Sequence, residues 1–129
     1  MVKYLCKGEF MRYTKSLKGS ISFKRVLKQG KYVSGKNIAI YVRKNDLKSK
    51  TNLLGICVSK KHGNSVVRNK LKRWVREAYY SLENSLDKNY NIVILYRKGI
   101  DVEKMDYFAV KDEITRLFIK NELVHGKDI

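Results

Sequence analysis

Three observations predict that this chain folds as an α/β (α+β) two-layer sandwich, with a central sheet of about four strands and three helices. Short apolar or alternating segments, typical of strands, are interspersed with three longer segments of helical periodicity. Their order is helix, three strands, helix, strand, helix, which suits one mostly antiparallel sheet with helices on a face. The 129 residues are 43% hydrophobic. A single domain of this size buries about two-thirds of its unfolded surface.

The first half of the chain begins with a basic segment and continues into a helix and strands. Residues 1–19 have little periodicity and predict an extended arm. Ser20 is a predicted N-cap and Gly30 a predicted stop, so we expect a helix between them. Residues 31–43 alternate and include β-branched and aromatic side chains, which predicts paired strands. The polar segment 44–51 predicts a hairpin loop.

The second half alternates between buried strands and amphipathic helices. Residues 53–59 and 90–96 are largely apolar runs bounded by polar residues, which predicts buried strands. Residues 66–84 and 104–123 carry apolar side chains at helical spacing. Because a helix separates the two strands, they are able to form a parallel pair within the sheet.

The expected organisation is a single domain over residues 20–124, with the basic arm 1–19 before it and a short tail, 125–129, after it. Cys6 and Cys57 lack the spacing of a metal site or of a disulfide scaffold, so we expect a reducing, cytoplasmic setting. No segment is long and apolar enough to predict a signal peptide or a membrane span, and no membrane partner is expected.

The charge of the chain is high and unevenly distributed. The formal net charge is +17 and the isoelectric point is near 9.9. Residues 1–76 hold 21 of the 29 lysines and arginines and two acids, a charge of +19, whereas residues 77–129 carry −2. A general lysine-rich composition would not stop at residue 76. We therefore expect one side of the domain to bind a polyanion.

The helix predicted over residues 66–84 presents much of this charge on an ordered scaffold. At about 100° per residue, its apolar side chains gather on one face: Val67, Leu71, Trp74, Val75, Ala78 and Leu82. The neighbouring face carries basic and amide side chains: Arg68, Asn69, Lys70, Lys72, Arg73 and Arg76. No acid occurs in residues 59–76, although like charges this close destabilise an isolated helix. Such a helix predicts a nucleic-acid surface.

Other interpretations of the basic helix remain open at this point. It is also compatible with a solvated cationic face that has no ligand. A calmodulin-target or membrane-surface helix has a similar pattern, but the flanking strands place this segment inside a folded domain. Among nucleic-acid binders, a non-enzymatic RNA-binding protein of the ribosomal type and an architectural DNA-binding protein are alternatives.

The run KKHGNSVVRNKLKRWVREAYY, residues 60–80, strongly resembles the signature of the bacterial ribonuclease P protein subunit. That family shows a Ser-Lys-Lys segment, a Gly-Asn loop, an Arg-Asn-Arg core, and then Lys-Arg and a further Arg on one helix. The resemblance extends over about residues 12–120 and includes SFKRVLKQG, residues 22–30, and the segment IAIYV. In one departure, Lys70 stands at the second arginine of the core, and lysine cannot make the two-pronged phosphate contact of arginine.

The resemblance implies a fold, an activity and partners. The fold is a two-layer sandwich with a left-handed βαβ crossover, as in ribonuclease P protein and ribosomal protein S5 domain 2-like folds. The activity is that of an accessory subunit, because a catalytic RNA with Mg²⁺ removes the 5′ leader of precursor tRNA and the protein alone is inactive. The implied partners are this RNA subunit and the single-stranded leader, with one protein per RNA. No cofactor bound by the protein is implied.

The resemblance also implies which residues bind RNA. The helix and the loop before it supply Lys60, Lys61, Arg68, Asn69, Lys70, Lys72, Arg73 and Arg76. We expect four of these to line the leader-facing edge, namely Arg68, Asn69, Lys72 and Arg76, and the others to contact the catalytic RNA or neighbouring phosphates. A leader-binding cleft is implied at Phe23, Leu27 and Tyr41. Flat side chains suit such a cleft because RNA bases stack on them, although the residues alone would place Phe23 in the core.

No catalytic or metal-binding group of the protein itself is predicted. His62 lies in a basic loop, where contact with phosphate or solvent is expected, and His125 is expected to be solvated. Five acids near the last helix are better explained by helix-terminus charge and solubility than by a metal cluster: Asp101, Glu103, Asp106, Asp112 and Glu113.

Overall fold

The computed structural model describes residues 13–45 and 51–123, and it confirms the α/β class with three helices. The strands are Thr14–Ser16 (β1), Lys31–Ser34 (β2), Ile38–Lys44 (β3), Asn52–Cys57 (β4) and Tyr90–Tyr96 (β5). The α-helices are Ser20–Gln29 (α1), Ser65–Leu82 (α2) and Tyr107–Lys120 (α3). Short 3₁₀ turns cover Lys60–His62, Glu83–Ser85 and Val102–Lys104. Within the described ranges, no helix is long and apolar enough to cross a membrane.

The sheet has five strands in the order β1-β4-β5-β3-β2. β2 and β5 both pair antiparallel with β3, whereas β1 and β5 both pair parallel with β4. The predicted fold class is confirmed, with five strands where about four were expected. The expectation of a mostly antiparallel sheet is wrong, because β1 adds a second parallel pair from within the segment predicted as an arm. The parallel β4–β5 pair confirms the predicted strand–helix–strand unit.

The hairpin predicted at residues 44–51 is also wrong, although residues 46–50 themselves lie outside the described residues. A hairpin joins neighbouring strands, and here β5 lies between β3 and β4. β5 is the most apolar strand, and four of its central residues in a row, 91–94, are buried. A strand that is apolar on both sides favours the centre of a sheet, where both faces are covered.

The helix boundaries differ from the predicted ones by a few residues. Gly19, with φ 92°, is the N-cap of α1, so Ser20 is the first helical residue rather than the cap. α2 begins one residue earlier than predicted and ends at Leu82, where a 3₁₀ turn follows. α3 is shorter than predicted, because the side chain of Asp106 accepts the N–H of Ala109 at 2.8 Å and caps the helix there.

One side of the sheet, which we call the closed face, is covered by α2 and α3 and holds the main core. It includes Ile38, Ile40, Ile92 and Ile94. The predicted apolar face of α2 is largely confirmed: Leu71, Val75, Ala78 and Leu82 are buried, and Val67 and Trp74 pack at the edge of the core. Tyr79 is also buried, and its hydroxyl shares a 2.7 Å hydrogen bond with Thr14, which attaches β1 to α2.

The other side, the open face, packs on α1 and is only partly covered. Its buried centre is small and consists of Leu17, Val26 and Val93. Around this centre lie partly exposed side chains: Phe23, Tyr41, Leu53, Cys57 and Leu95. The ring of Phe23 lies over Gly55, where a Cβ atom would approach the ring to 2.6 Å. The aromatic contact between α1 and the sheet therefore requires glycine at this position of β4.

Candidate nucleic-acid interface

The loop before α2 presents two lysines in an ordered turn. The hydroxyl of Ser59 accepts the N–H of Lys61 at 3.1 Å, and Lys60 and Lys61 are both exposed. Gly63 has φ 149°, and a Cβ there would lie 2.9 Å from the side chain of Val67. The loop therefore requires a glycine, and its backbone is well defined up to the start of α2.

The cationic face of α2 follows directly from this loop. The Asn64 side chain accepts the N–H of Val67 at 3.0 Å and caps the helix. Of the six predicted RNA-binding residues on α2, Asn69 and Lys70 are exposed, and the other four are partly exposed: Arg68, Lys72, Arg73 and Arg76. The ammonium of Lys70 lies 5.3 Å from the centre of the Trp74 ring, a cation–π contact that orients this lysine.

Carboxylates do not neutralise most of these cations. Within residues 13–45 and 51–123, no carboxylate lies within ion-pair distance of Lys60, Lys61, Arg68, Lys70, Lys72 or Arg73. Two ion pairs lie elsewhere, where Asp101 contacts Lys104 at 3.9 Å and Asp112 contacts Arg116 at 3.0 Å. The positive potential of α2 is therefore available to an external anion.

A cleft of about 690 Å³ joins the cationic helix to the open face of the sheet. Lys72 of α2 lines it together with Cys57 and Leu95, which belong to the open face. The cleft lies at the carboxyl ends of the parallel strands β4 and β5, a common place for ligands in open α/β sheets. Its rim also includes Arg97 and Lys98, which sequence analysis missed. The sequence feature that could have identified these two cations is the RKG turn that directly follows an apolar strand.

The three residues predicted for a leader-binding cleft lie on the α1 side of the sheet, and none of them lines the cleft beside Lys72. Phe23 and Tyr41 are partly buried in the open-face cluster, and Leu27 is 38% exposed one helical turn after Phe23. Tyr32 was missed; it is 50% exposed, is the register partner of Tyr41, and has its ring 4.8 Å from that of Tyr41. The alternation of β2 and β3, which puts both tyrosines on one face, was the signal for it.

Cys57 lines the cleft and is partly buried, packed against the open-face cluster. Partial burial raises the pKa of its thiol, and the positive charge of Lys72 offsets part of this increase. The thiol is therefore mostly protonated at neutral pH and is a weak nucleophile. Because this thiol lies at the end of β4 and lines the cleft, its reactivity reports on access to the cleft. Cys6 lies outside the described residues.

The imidazole of His62 contacts protein on both sides, whereas the sequence predicted contact with phosphate or solvent. Its Nδ1 atom lies 3.1 Å from the N–H of Ser59, and its Nε2 atom lies 3.0 Å from the carbonyl oxygen of Arg97. His125 lies outside the described residues.

The acids near α3 have structural partners. Asp101 and Asp106 cap the turns that follow them, and Asp112 pairs with Arg116. Glu113 is buried, and its carboxylate accepts the N–H groups of Asn37 and Ile38 at 2.8 and 2.7 Å. It therefore fixes the turn between β2 and β3.

Comparison with known proteins agrees with this arrangement. The sequence model of the family described as Ribonuclease P matches residues 11–122. The ribonuclease P protein component of Clostridium acetobutylicum is 36% identical over 108 residues, which cover 84% of this chain and 89% of the relative.

Two solved structures share the fold over nearly their whole length. The RNase P protein from Thermotoga maritima has a TM-score of 0.73 and 30% identity, covering 82% of this chain and 96% of that one. The Staphylococcus aureus RNase P protein has a TM-score of 0.74 and 26% identity, covering 88% and 98%. The chain therefore belongs to the bacterial ribonuclease P protein family, whose members work with an RNA subunit as the protein component of a tRNA-processing endoribonuclease.

Proposed function

We propose that this chain binds the catalytic RNA of ribonuclease P and the single-stranded 5′ leader of precursor tRNA, as one protein per RNA in the cytoplasm. The RNA and its Mg²⁺ perform the hydrolysis, and the protein increases the affinity for precursor tRNA and positions it. One observation carries the proposal: the cleft in which Lys72 of α2 meets Cys57 and Leu95 of the open face. A cationic edge next to an apolar, partly aromatic surface is what a single strand needs.

The leader lies across the open face in this proposal. Its bases contact Phe23, Leu27 and Tyr41, with Tyr32 extending the surface, and its phosphates face the cationic edge of α2. In support, Phe23 and Tyr41 are only partly covered by protein, and Leu27 and Tyr32 are exposed. The edge consists of Arg68, Asn69, Lys72 and Arg76, which fall within about 100° of one another around the helix axis.

The catalytic RNA contacts the remaining cations. Lys70 and Arg73 lie about 200° and about 140° from Arg68 around α2, so Lys70 points away from the leader edge and Arg73 lies beside it, next to Asn69. Lys60 and Lys61 lie on the turn before the helix. In support, the two lysines and Lys70 are exposed, and Lys70 is oriented by the Trp74 ring. The two sets of cations thus serve two RNA strands on adjoining parts of one cationic surface.

Reconstitution tests this function. We expect the purified chain alone to leave precursor tRNA intact, and to accelerate leader removal at moderate salt and low Mg²⁺ when it is mixed with a cognate catalytic RNA. The matched control is the catalytic RNA alone at the same Mg²⁺ concentration. If the protein does not stimulate cleavage at any Mg²⁺ concentration, the proposal is wrong.

A further inference from the structure

The hydrogen bonds of His62 select one tautomer of its ring. The Ser59 N–H that faces Nδ1 can only donate, and the Arg97 carbonyl oxygen that faces Nε2 can only accept. The ring therefore satisfies both partners only as the neutral tautomer with its proton on Nε2. In that form it completes a capping box around the Lys60–His62 turn, in which Ser59 is the N-cap.

The partner of His62, Arg97, directly follows β5 and is itself held by hydrogen bonds. The N–H of Arg97 donates to the carbonyl oxygen of Asn37 at 2.8 Å, and its guanidinium donates to that of Gly35 at 2.8 Å. The same β2–β3 turn is fixed by the buried carboxylate of Glu113 on α3. His62 thus connects the lysine-bearing turn to a framework built from β2, β3, β5 and α3.

We propose that His62 is a positioning residue, which holds Lys60 and Lys61 in the orientation that binds RNA. This inference rests on the proposed RNA-binding role of the two lysines. Replacing the imidazole with a side chain that has no hydrogen-bonding group would remove the His62 half of the capping box. The turn would then be held only by its backbone hydrogen bonds and by the Ser59 hydroxyl.

The surroundings of His62 are positively charged. Its own turn contributes Lys60 and Lys61, the segment after β5 contributes Arg97 and Lys98, and α2 contributes Lys72. β4 contributes the Cys57 thiol to the cleft, and the Tyr96 ring lies 6.0 Å from the imidazole. In the part of the chain that the structure describes, no carboxylate lines this cleft.

Two variants separate positioning from simple packing. His62→Gln offers an amide oxygen and an amide N–H in the same order as Nδ1 and Nε2–H, whereas His62→Phe offers neither. In the reconstituted holoenzyme, we expect Gln to keep the precursor tRNA affinity within about twofold and Phe to lower it about three- to tenfold, as the loss of two hydrogen bonds allows. The single-turnover cleavage rate at saturation should be unchanged in both. The proposal would be overturned if His62→Phe bound precursor tRNA with wild-type affinity, or if His62→Gln and His62→Phe lost equal affinity.

Hydrogen exchange at the Ser59 amide provides a second readout, measured at a single pH and without RNA. We expect the Ser59 protection factor in His62→Gln to stay near the wild-type value, because the amide oxygen accepts the same N–H. In His62→Ala, which does not need to accommodate a larger ring, the protection factor should fall several-fold. Equal protection of Ser59 in all three proteins would contradict the proposal.

A double variant, Lys60→Ala with Lys61→Ala, distinguishes failure of this inference from failure of the proposed function. If the double variant weakens RNA binding but His62→Phe does not, only the role of His62 is wrong. If the double variant binds RNA as the wild type does, the assignment of the two lysines fails and the inference fails with it.

Discussion

The two faces of the central sheet carry similar apolar side chains but are covered by helices to different extents. On the closed face, α2 and α3 cover the sheet, and the isoleucines of β3 and β5 are fully buried. On the open face, α1 covers only the centre around Val26 and Val93, and the surrounding apolar side chains remain partly exposed. The difference leaves partly exposed apolar side chains beside a cationic helix, a combination that suits the proposed binding of an RNA strand.

The same contrast separates the two sides of α2. Its inner side is anchored in the closed-face core by Leu71 and Val75, which are fully buried. Its outer side carries cations, and most of them have no carboxylate within ion-pair distance in the described part of the chain. Burial of the inner side offsets the repulsion among the cations, so the helix keeps its charge in a fixed place.

The largest expected effect is on the closed face. Leu71→Ala should lower the free energy of unfolding by about 2–5 kcal/mol, because it removes a fully buried side chain and leaves a cavity. Urea denaturation measures this loss. The matched control is Leu27→Ala on the open face, which should cost less than about 1 kcal/mol because the side chain is already 38% exposed. Equal losses at the two positions would remove the distinction between the faces.

The next effect is on leader binding at the open face. Tyr41→Ala should weaken the affinity of the holoenzyme for leader-bearing tRNA by about 1–3 kcal/mol, since a base loses its stacking partner. Tyr41→Phe keeps the ring, so its binding free energy should stay within a few tenths of a kcal/mol of the wild-type value. Titration of labelled precursor tRNA gives both values. Unaltered affinity in Tyr41→Ala would mean that this ring only packs against the sheet.

A smaller effect is expected in the salt dependence of binding. Arg68→Ala and Lys72→Ala should each reduce the slope of log affinity against log salt concentration by about 0.7, if each residue neutralises one phosphate of a single strand. Arg116→Ala is the control, because this arginine pairs with Asp112 on α3. A lower free energy of unfolding with an unchanged slope would show that the cationic face of α2 is structural.

The smallest effect uses Cys57 as a reporter of the cleft. In a Cys6→Ser background, alkylation of Cys57 should be slow at neutral pH and faster at higher pH, because burial raises the pKa of the thiol. Lys72→Ala should slow it further, since that cation lowers the pKa. Precursor tRNA should protect the thiol several-fold in the holoenzyme, and mature tRNA should not. Equal protection by both would place the leader elsewhere.

The sequence predicts the closed face of this protein better than the open face. Helical periodicity identifies most of the buried residues of α2, and the apolar run of β5 identifies a buried strand. These signals are local, since each depends on neighbours within a few residues. Strand order is not local, which is why the hairpin at 44–51 is wrong and why β1 was interpreted as part of an arm.

The open face depends on contacts between distant segments. Tyr32 joins Tyr41 through strand register, Arg97 and Lys98 reach the cleft from the end of β5, and His62 bonds to a carbonyl 35 residues later. Composition and spacing do not reveal such pairs. The basic residues of α2 were found because they follow one another along one helix, but their separation into a leader side and an RNA-subunit side remains a prediction.

The preference of the holoenzyme for leader-bearing over mature tRNA tests the central claim most directly. Competition between the two ligands should show tighter binding of the leader-bearing form in the wild type, and this preference should shrink towards equality in the double variant Phe23→Ala with Tyr41→Ala. Ile119→Ala on α3, an exposed apolar side chain outside the open-face cluster, should leave it unchanged. If the double variant folds and keeps the full preference, the open face does not bind the leader.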